Sequence, residues 1–445
     1  MTQRAPATAM HDLSAVEAAR RIAAGEMMAL AYAQALVARV ESREPDVQAW
    51  AWFDREALLE QARDVDDKRG AGHPLGPLAG VPVGLKDIID TAGVPTELGT
   101  VLHAGRVPGA DAGVVTRLRS AGGLMMGKTV TTELATYAPG KTRHPQHAGH
   151  TPGGSSSGSA AAAVAAGMVP LAIGTQTNGS VIRPASFCGV VGFKPSFGLI
   201  DRRGVLVQSP PLDQLGVFGR NVEDVALLAE VLCRDDALAE RPARPLRRVA
   251  GEEPPHPPKL AFARTPFWPR LDTDARAAFD AFAESLGTQA QALELPLDAE
   301  AAVQCHRLIM EADLARSFAD EYERGREHLS ASLRGQIERG RATSALDYRH
   351  AVESIPLLRA ALDAVFERFD AIVTPATLGT APAGLASTGD PLLCTLWTLV
   401  GLPALSLPLL HGANGLPLGV QLVGRFGSDA QLLRTARWLM RRRQG

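Results

Sequence analysis

Apolar residues at helical spacing dominate the first 70 residues of the chain. Between Leu13 and Ala24 they recur at positions 13, 16, 19, 22 and 23, which is one face of an amphipathic helix. Ser14 followed by Glu17 is typical of a capping box at the start of such a helix. Similar patterns predict two more helices, at 28–40 and 56–68.

After residue 75 the pattern changes to short apolar runs separated by Gly and Pro. Val81, Val83 and Leu85 alternate with other residues, which predicts a buried strand ending near Lys86. Strands at 123–127 and 169–174 and helices at 113–121, 160–166 and 222–232 are also predicted. Strands that alternate with helices are typical of an α/β fold. We expect a single large domain with a mixed, mainly parallel central β-sheet flanked by helices.

The C-terminal half begins with a Pro/Arg-rich stretch at 241–258, which predicts a surface linker. The later elements are predicted as a strand at 260–263, helices between 273 and 369, strands at 370–374, 404–409 and 420–423, and a final helix at 430–440. We interpret residues 1–445 as one domain. It has a core at 70–225, a variable and mostly helical insertion at 240–370 that shapes the substrate region, and a return to the core sheet at 370–445.

The uncharged stretch from Leu392 to Leu410 is long enough to be tested as a membrane span. Gly401, Pro403 and Pro408 interrupt it, so we interpret it as a buried helix followed by a buried strand. The N-terminus lacks the apolar segment of a secretory signal. We therefore expect a cytoplasmic protein that does not associate with a membrane.

Composition and charge exclude several classes of protein. Of the 445 residues, 46 are basic and 48 acidic, so the net charge of −2 offers no electrostatic footprint for nucleic acid. The four Cys residues match neither a zinc spacing nor a disulfide framework. Only six of the basic residues are Lys, which fits a G+C-rich coding sequence. The low proportion of Lys to Arg still draws attention to each Lys, because Lys can lose its proton and Arg cannot.

Three short motifs have to be weighed against their context. Gly122–Thr129 fits the phosphate-loop pattern GxxxxGK[ST], but that loop needs a strand before it and a helix after it, and the predicted order here is different. Gly154–Gly158 fits the GxSxG elbow of α/β-hydrolases without a strand before it. His144, His147 and His150 are three residues apart, but Pro145 and Gly149 prevent a helix with one His face, and we expect no metal.

A longer match is far more specific. From residue 151 the chain reads TPGGSSSGSAAAAVAAGMVPLAIGTQTNGSVIRPASFCGVVGFKPSFG, which resembles the amidase signature family. The resemblance includes GVPVGLKDIID and GKTVTTE upstream and SPPLDQLGVFGR, PATLGTAP and VGLPALSLPL downstream. Its strong part covers residues 75 to 220. One departure is central: the family usually has Gly where this chain has Asn178. Asn tolerates a left-handed backbone better than most residues, so the turn can survive the change.

Amide hydrolysis needs a nucleophile, a base and donors for the oxyanion. Gly179 permits a tight turn that aligns successive N–H groups, and Ser180 follows it either as nucleophile or as a simple helix N-cap. Lys86 ends an apolar strand, where burial lowers a lysine pKa and allows it to act as a base. The alternative for Lys86 is a salt bridge with Asp87, but neighbours on a strand point to opposite faces.

The resemblance implies Ser180 as nucleophile, Lys86 as base, and the N–H groups of Thr177, Asn178, Gly179 and Ser180 as the oxyanion hole. It also implies a second serine, on a cis peptide bond in the Gly/Ser loop, that relays the proton. Aligning the GGS motif selects Ser155 as this relay, whereas counting back from the nucleophile selects Ser156. We prefer Ser155, because TPGGSSSGS matches as a block and the Ala helix can absorb one extra residue.

Arg183 lies nearly one helical turn after Ser180, so it either binds an acidic substrate group or forms a structural ion pair. The leading hypothesis is a hydrolase that releases ammonia or an amine from a small carboxamide through a Ser acyl-enzyme. We expect it to need no cofactor, no nucleic acid and no partner beyond a second copy in a homodimer. The alternatives are the catalytic subunit of a tRNA-dependent amidotransferase and a nucleotide-binding protein that uses Gly122–Thr129.

Overall fold

One sheet of eleven strands passes through the part of the chain that the computed structural model describes, residues 9–152, 157–233 and 245–442. Its strands are β1 (Trp50–Phe53), β2 (Pro82–Lys86), β3 (Leu124–Thr129), β4 (Leu171–Gln176), β5 (Val191–Lys194), β6 (Gln214–Gly219), β7 (Leu260–Ala263), β8 (Ala290–Leu293), β9 (Ala371–Pro375), β10 (Ala404–His411) and β11 (Pro417–Val423). Their spatial order is β1-β3-β2-β4-β6-β5-β10-β11-β9-β7-β8.

The pairing of these strands is mixed. β2 pairs in parallel with β3 and β4, and β7 pairs in parallel with β8 and β9. The other pairings between neighbouring strands are antiparallel. Every residue of β2, β3 and β4 is buried, as expected for strands with helices on both faces. The predicted α/β fold with a mixed sheet flanked by helices is confirmed.

Helices cover the sheet on both sides. Their bounds are α1 (Ala15–Ala23), α2 (Ala29–Val47), α3 (Arg55–Gly70), α4 (Gly113–Ser120), α5 (Gly158–Ala165), α6 (Ile182–Cys188), α7 (Val222–Leu232), α8 (Leu246–Gly251), α9 (Thr273–Leu286), α10 (Ala299–Ser317), α11 (Ala319–Gly325), α12 (Ala331–Arg341), α13 (Ala345–Phe366), α14 (Leu392–Leu399) and α15 (Asp429–Arg442). The predicted cap is present: the Ser14 hydroxyl accepts from the N–H of Glu17.

The elements that the pattern missed are short or depend on distant partners. β1 and β5 have four residues each, and β6 contains two glycines, so none of them shows a clear alternation. α8 lies inside the stretch that was predicted to be a linker, and that prediction is wrong for its six residues. The helical block after β7 contributes β8 to the edge of the sheet, a contribution that its half-exposed sequence AQAL does not indicate.

The stretch from Leu392 to Leu410 forms α14 and most of β10, both largely buried, which confirms the predicted helix and strand. Among the described residues, no helix is both long and apolar enough to cross a bilayer. α14 packs beside the loop that follows β4, because Thr398 donates to the Asn178 carbonyl there.

The parallel pairing of β2 and β4 brings two functional segments to one edge of the sheet. Leu85 pairs with Ile173, so the ends of both strands lie at the same level. Lys86 is the last residue of β2, and β4 ends at Gln176, directly before the segment 177–180. In α/β sheets this carboxyl edge is the usual location of an active site.

Candidate active site

The segment Thr177–Ser180, here called the nucleophile loop, connects β4 to α6 and is held from both ends. The Gln176 side chain accepts from the N–H groups of Val181 (2.8 Å) and Ile182 (3.0 Å), so it satisfies the first donors of the helix. On the other side, the Thr398 hydroxyl donates to the Asn178 carbonyl at 2.5 Å. Ser180 is only 6% exposed and sits immediately before this fixed turn.

Gly179 is required by close packing rather than by a left-handed backbone. A Cβ at this position would lie 3.0 Å from Pro391 Cβ and 3.3 Å from Cys394 Cβ, at the start of α14. Neither Gly179 nor Asn178 is among the residues with positive φ. The explanation of Asn178 by its tolerance of a left-handed turn is therefore wrong, and the loop is tight because α14 presses on it.

Backbone donors are available at the centre of the nucleophile loop. Within the described part of the chain, no carbonyl or side chain accepts a hydrogen bond from the N–H of Asn178 or of Gly179. The N–H groups of the two residues after Ser180, by contrast, are already used by Gln176. Preorganised donors of this kind suit an oxyanion. The assignment of residues 177–180 to an oxyanion hole stays a prediction with this geometry in its favour.

Lys86 is completely buried beside this loop. Its Nζ donates to Thr175 Oγ1 at 2.5 Å, on the strand that leads into the loop. Burial lowers the pKa of Lys86 well below 10.5, and the positive charge of Arg202 lowers it further, while the carboxylate of Asp213 opposes both effects. Asp87 accepts instead from the N–H of Glu97, so the predicted alternative of a salt bridge between Lys86 and Asp87 is not observed.

The two candidates for the relay, Ser155 and Ser156, lie outside the described residues, and so does the peptide bond that the resemblance describes as cis. The next residue, Ser157, is described and fully buried. Its Oγ donates to the Thr175 carbonyl and accepts from the Thr175 N–H, both at 3.0 Å. Thr175 therefore joins the end of the Gly/Ser segment, through its backbone, to Lys86, through its hydroxyl.

Arg183, the predicted substrate-binding residue, is buried in the first turn of α6. Its Nη1 donates to the Gly389 carbonyl at 2.6 Å, and burial lowers its pKa. It therefore connects α6 to the segment that precedes α14. Its role toward a substrate stays a prediction.

The structure adds residues that the sequence did not indicate. The Thr177 hydroxyl lies 2.6 Å from both Gln208 Oε1 and Asp213 Oδ1. His306 of α10 donates from Nε2 to the Thr177 carbonyl at 2.8 Å, and burial lowers the pKa of this imidazole to about 4. Asp213 lies in the segment SPPLDQLGVFGR of the resemblance. His306 belongs to the block without a distinctive match, so no sequence signal indicated it.

Of the three short motifs, the structure describes Gly122–Thr129 and the histidine segment, and neither forms the site that its pattern suggests. Gly122–Thr129 runs through a turn into β3, and Lys128 is buried and donates to the Ile89 carbonyl and to Thr96 Oγ1, so the phosphate-loop hypothesis is wrong. The GxSxG segment lies mostly outside the described residues. Nδ1 of His144 accepts from the N–H groups of Gln146 and His147, and its Nε2 lies 2.8 Å from the Phe187 carbonyl, so both nitrogens already have protein partners.

Comparisons with known proteins agree with this geometry. A family model described as Amidase matches residues 31–433. The A subunit of the glutamyl-tRNA(Gln) amidotransferase of Symbiobacterium thermophilum is 35% identical over 95% of both chains, and that of a Roseiflexus species is 34% identical over 96% of both. These matches confirm the resemblance that the sequence indicated.

Solved structures support the same fold. The peptide amidase of Stenotrophomonas maltophilia superposes with a TM-score of 0.82 at 27% identity, over 98% of this chain and 97% of that one. A protein from a vestigial complex related to the origin of an s-triazine catabolic enzyme superposes with a TM-score of 0.89 at 28% identity, over 97% and 98% of the two chains.

The comparisons overturn the expectation about partners. From the sequence we expected a small amide as the substrate, no nucleic acid and at most a homodimer. The relatives are named as one component of an enzyme that acts on a glutamyl-tRNA. The expectation failed because it rested on net charge, which averages over the whole surface and does not report on a local patch or on a partner protein.

Proposed function

Because the chain belongs to the amidase family, we propose that it hydrolyses the C–N bond of a carboxamide through an acyl-enzyme on Ser180. The observation that carries this proposal is the buried, depressed-pKa Lys86, bonded to the strand that leads into the nucleophile loop. A lysine held neutral can accept a proton at physiological pH, and Arg in the same place cannot.

The proposed reaction has two halves. The Ser180 hydroxyl loses its proton through the relay serine to Lys86, and its oxygen attacks the amide carbonyl. The N–H groups of the nucleophile loop stabilise the oxyanion, and the C–N bond breaks as the relay serine returns a proton to the leaving amine. Water then attacks the ester by the same route, which releases the acid and restores Ser180. Ser155 is our proposed relay, with Ser156 as the alternative, and neither a metal nor a cofactor takes part in these steps.

The names of the relatives favour one acceptor for the ammonia that hydrolysis of a primary amide releases. They are amidotransferase A subunits, and the chain is similar to them over nearly its whole length. We propose that the chain is the amidase component of such an amidotransferase, which transfers the ammonia to a glutamyl-tRNA with the help of partner subunits. Arg183, buried one turn after Ser180, is proposed to bind the acidic end of the amide donor.

A second candidate is an amidase that works alone. It is favoured by the similarity to a peptide amidase over 98% of the chain. Both candidates use the same Ser180 chemistry and differ only in what receives the ammonia. They are separated by comparing the recombinant chain alone with the tagged chain purified, together with its bound partners, from its native cells.

Ammonia release from a panel of aliphatic, aromatic and acidic amides tests the chemistry. Ser180→Ala is expected to lower turnover on the order of 10³-fold or more, with an unchanged circular dichroism spectrum. Ser354→Ala, on α13, is the matched control and should remain active. An active Ser180→Ala variant would exclude the proposed nucleophile. Formation of glutaminyl-tRNA from glutamyl-tRNA(Gln), ATP and an amide that donates ammonia, seen only with the native preparation, supports the amidotransferase. Efficient hydrolysis by the chain alone supports the second candidate.

A further inference from the structure

Asn178, two residues before Ser180, has a side chain that fills space which a glycine would leave open. Its Nδ2 donates to the Tyr137 hydroxyl at 2.9 Å, and its Oδ1 accepts from the Thr395 hydroxyl at 2.7 Å. Three segments meet in this bridge: the one that contains Tyr137, the nucleophile loop and α14. We call the bridge formed by Tyr137, Asn178 and Thr395 the polar strap.

The strap lines accessible space rather than the core. Between residues 171 and 188, Asn178 is the one residue that is not buried. Tyr137 is also partly accessible, whereas Thr395 is buried and anchors the strap to α14. Asn178 is thus an accessible side chain two residues before the nucleophile, and hydrogen bonds at both ends of its amide group fix it in place.

The strap and Lys86 contact different parts of the structure around the nucleophile loop. Lys86 and Ser157 contact β4 at Thr175, and under the proposed function Lys86 and the relay serine carry the proton that reaches the leaving amine. The strap instead reaches α14, on the same side as the contact between Arg183 and Gly389. The leaving amine must face the relay serine, whereas Arg183, the proposed ligand of the acidic end of the amide donor, contacts the segment before α14, the helix on which the strap is anchored.

We propose that Asn178 determines specificity by limiting the acyl group to an unbranched chain next to the carbonyl carbon. The Asn178 side chain stays in place because displacing it would break both hydrogen bonds of the strap and leave the Thr395 hydroxyl buried without this partner. A branched or aromatic acyl group would have to displace it, whereas an unbranched chain can pass beside it. This inference rests on the proposed amide hydrolysis.

The test compares Asn178→Gly, which removes the side chain, with Asn178→Asp, which keeps its size and its acceptor for Thr395. Two series of amides are assayed, one with acyl groups from propionamide to isobutyramide and benzamide, the other with a fixed acyl group and increasingly large amines. In Asn178→Gly the kcat/KM ratio of branched to unbranched acyl amides should rise by about tenfold or more, the scale of steric discrimination in an enzyme pocket. The ratio in Asn178→Asp and the ranking of the amine series should stay close to wild type.

An unchanged acyl ratio in a folded, active Asn178→Gly variant would overturn the inference and leave the proposed function intact. A shift confined to the amine series would also overturn it, because the strap would then face the leaving group. Failure of the wild-type chain to hydrolyse any amide, alone or with its partners, would refute the proposed function and the inference together. Labelling of Ser180 by small and by branched fluorophosphonates provides a second readout that does not depend on turnover.

Discussion

Two neighbouring strands of the same sheet carry, at or near their ends, buried lysines with different environments. Lys86 of β2 and Lys128 of β3 are both completely buried, and the strands pair in parallel. Lys128 Nζ donates to the Ile89 carbonyl and to two threonine hydroxyls, with the carboxylate of Asp87 nearby. Lys86 Nζ, by contrast, donates to the hydroxyl of Thr175.

The difference shows that the surroundings decide what a buried lysine does. Burial lowers the pKa of Lys128 to about 8, a limited shift because Asp87 and Asp90 stabilise its charge. Burial lowers the pKa of Lys86 well below 10.5, and a single carboxylate, that of Asp213, opposes this effect. Lys128 is therefore suited to hold the structure together, and Lys86 is suited to exchange a proton.

The largest expected effect is on catalysis at Lys86. Lys86→Met and Lys86→Arg should both lower kcat on the order of 10³-fold or more, because neither side chain can accept a proton at neutral pH. Ammonia release measures the loss, and Lys68→Arg on the surface is the matched control. Near-wild-type rates for the Arg variant would mean that Lys86 supplies only a positive charge. Lys86 and Lys128 would then not differ in the way proposed here, as a base and a structural cation.

Lys128→Met should act on stability instead. It leaves the Ile89 carbonyl, two hydroxyls and Asp87 without their buried cation, which should lower the free energy of unfolding by about 3 kcal/mol. Lys86→Met should not lower this free energy at neutral pH. A lysine with a depressed folded pKa takes up a proton on unfolding, so removing it removes a penalty that persists up to about pH 10.5. This penalty is larger for Lys86 than for Lys128, whose pKa is lowered only to about 8 because neighbouring carboxylates stabilise its charge.

Urea unfolding of the two methionine variants at pH 7 measures this difference. The comparison is supported if Lys128→Met is the less stable variant while its folded fraction keeps most of the activity. Equal destabilisation by both variants would show that the two lysines play the same structural role.

A smaller effect is expected on the pH dependence of kcat/KM. Activity requires neutral Lys86, so it should fall as the pH drops through the pKa of Lys86. Asp213→Asn removes the charge that raises this pKa, and the acidic limb should therefore move to lower pH. The measurement is a pH profile of both proteins on one amide. A shift to higher pH would mean that Asp213 does not act on Lys86 through its charge.

The smallest effect is expected for a lysine at the surface. Lys68 forms an exposed pair with Asp64 at 2.6 Å, one helical turn away. Lys68→Ala should change the free energy of unfolding by about 0.5 kcal/mol or less and leave activity unchanged. Thermal unfolding at low and high salt would detect even this change. A loss as large as that of Lys128→Met would show that burial is not what separates these lysines.

Local sequence patterns predicted the elements whose apolar residues recur with a regular spacing along the chain. Val222–Leu232 and Leu260–Ala263 were predicted with the bounds that the structure has, because a helix with an apolar stripe and a buried strand each show their own periodicity. The short strands β5 and β6 escaped prediction, since pairing with distant strands rather than their own sequence makes them strands.

The sequence by itself determined the residue types of the proposed chemistry: a serine after a Gly turn, a lysine at the end of an apolar strand, and the long match to one family. Only the tertiary structure decided how far the pKa of each buried lysine falls, because a pKa depends on burial and on charges and dipoles brought together from distant segments. It likewise decided that α14 presses on Gly179, that His306 holds Thr177, and that Asn178 forms a strap with Tyr137 and Thr395. The hydrogen bonds among these contacts join residues between 41 and 217 positions apart, and no local pattern encodes them.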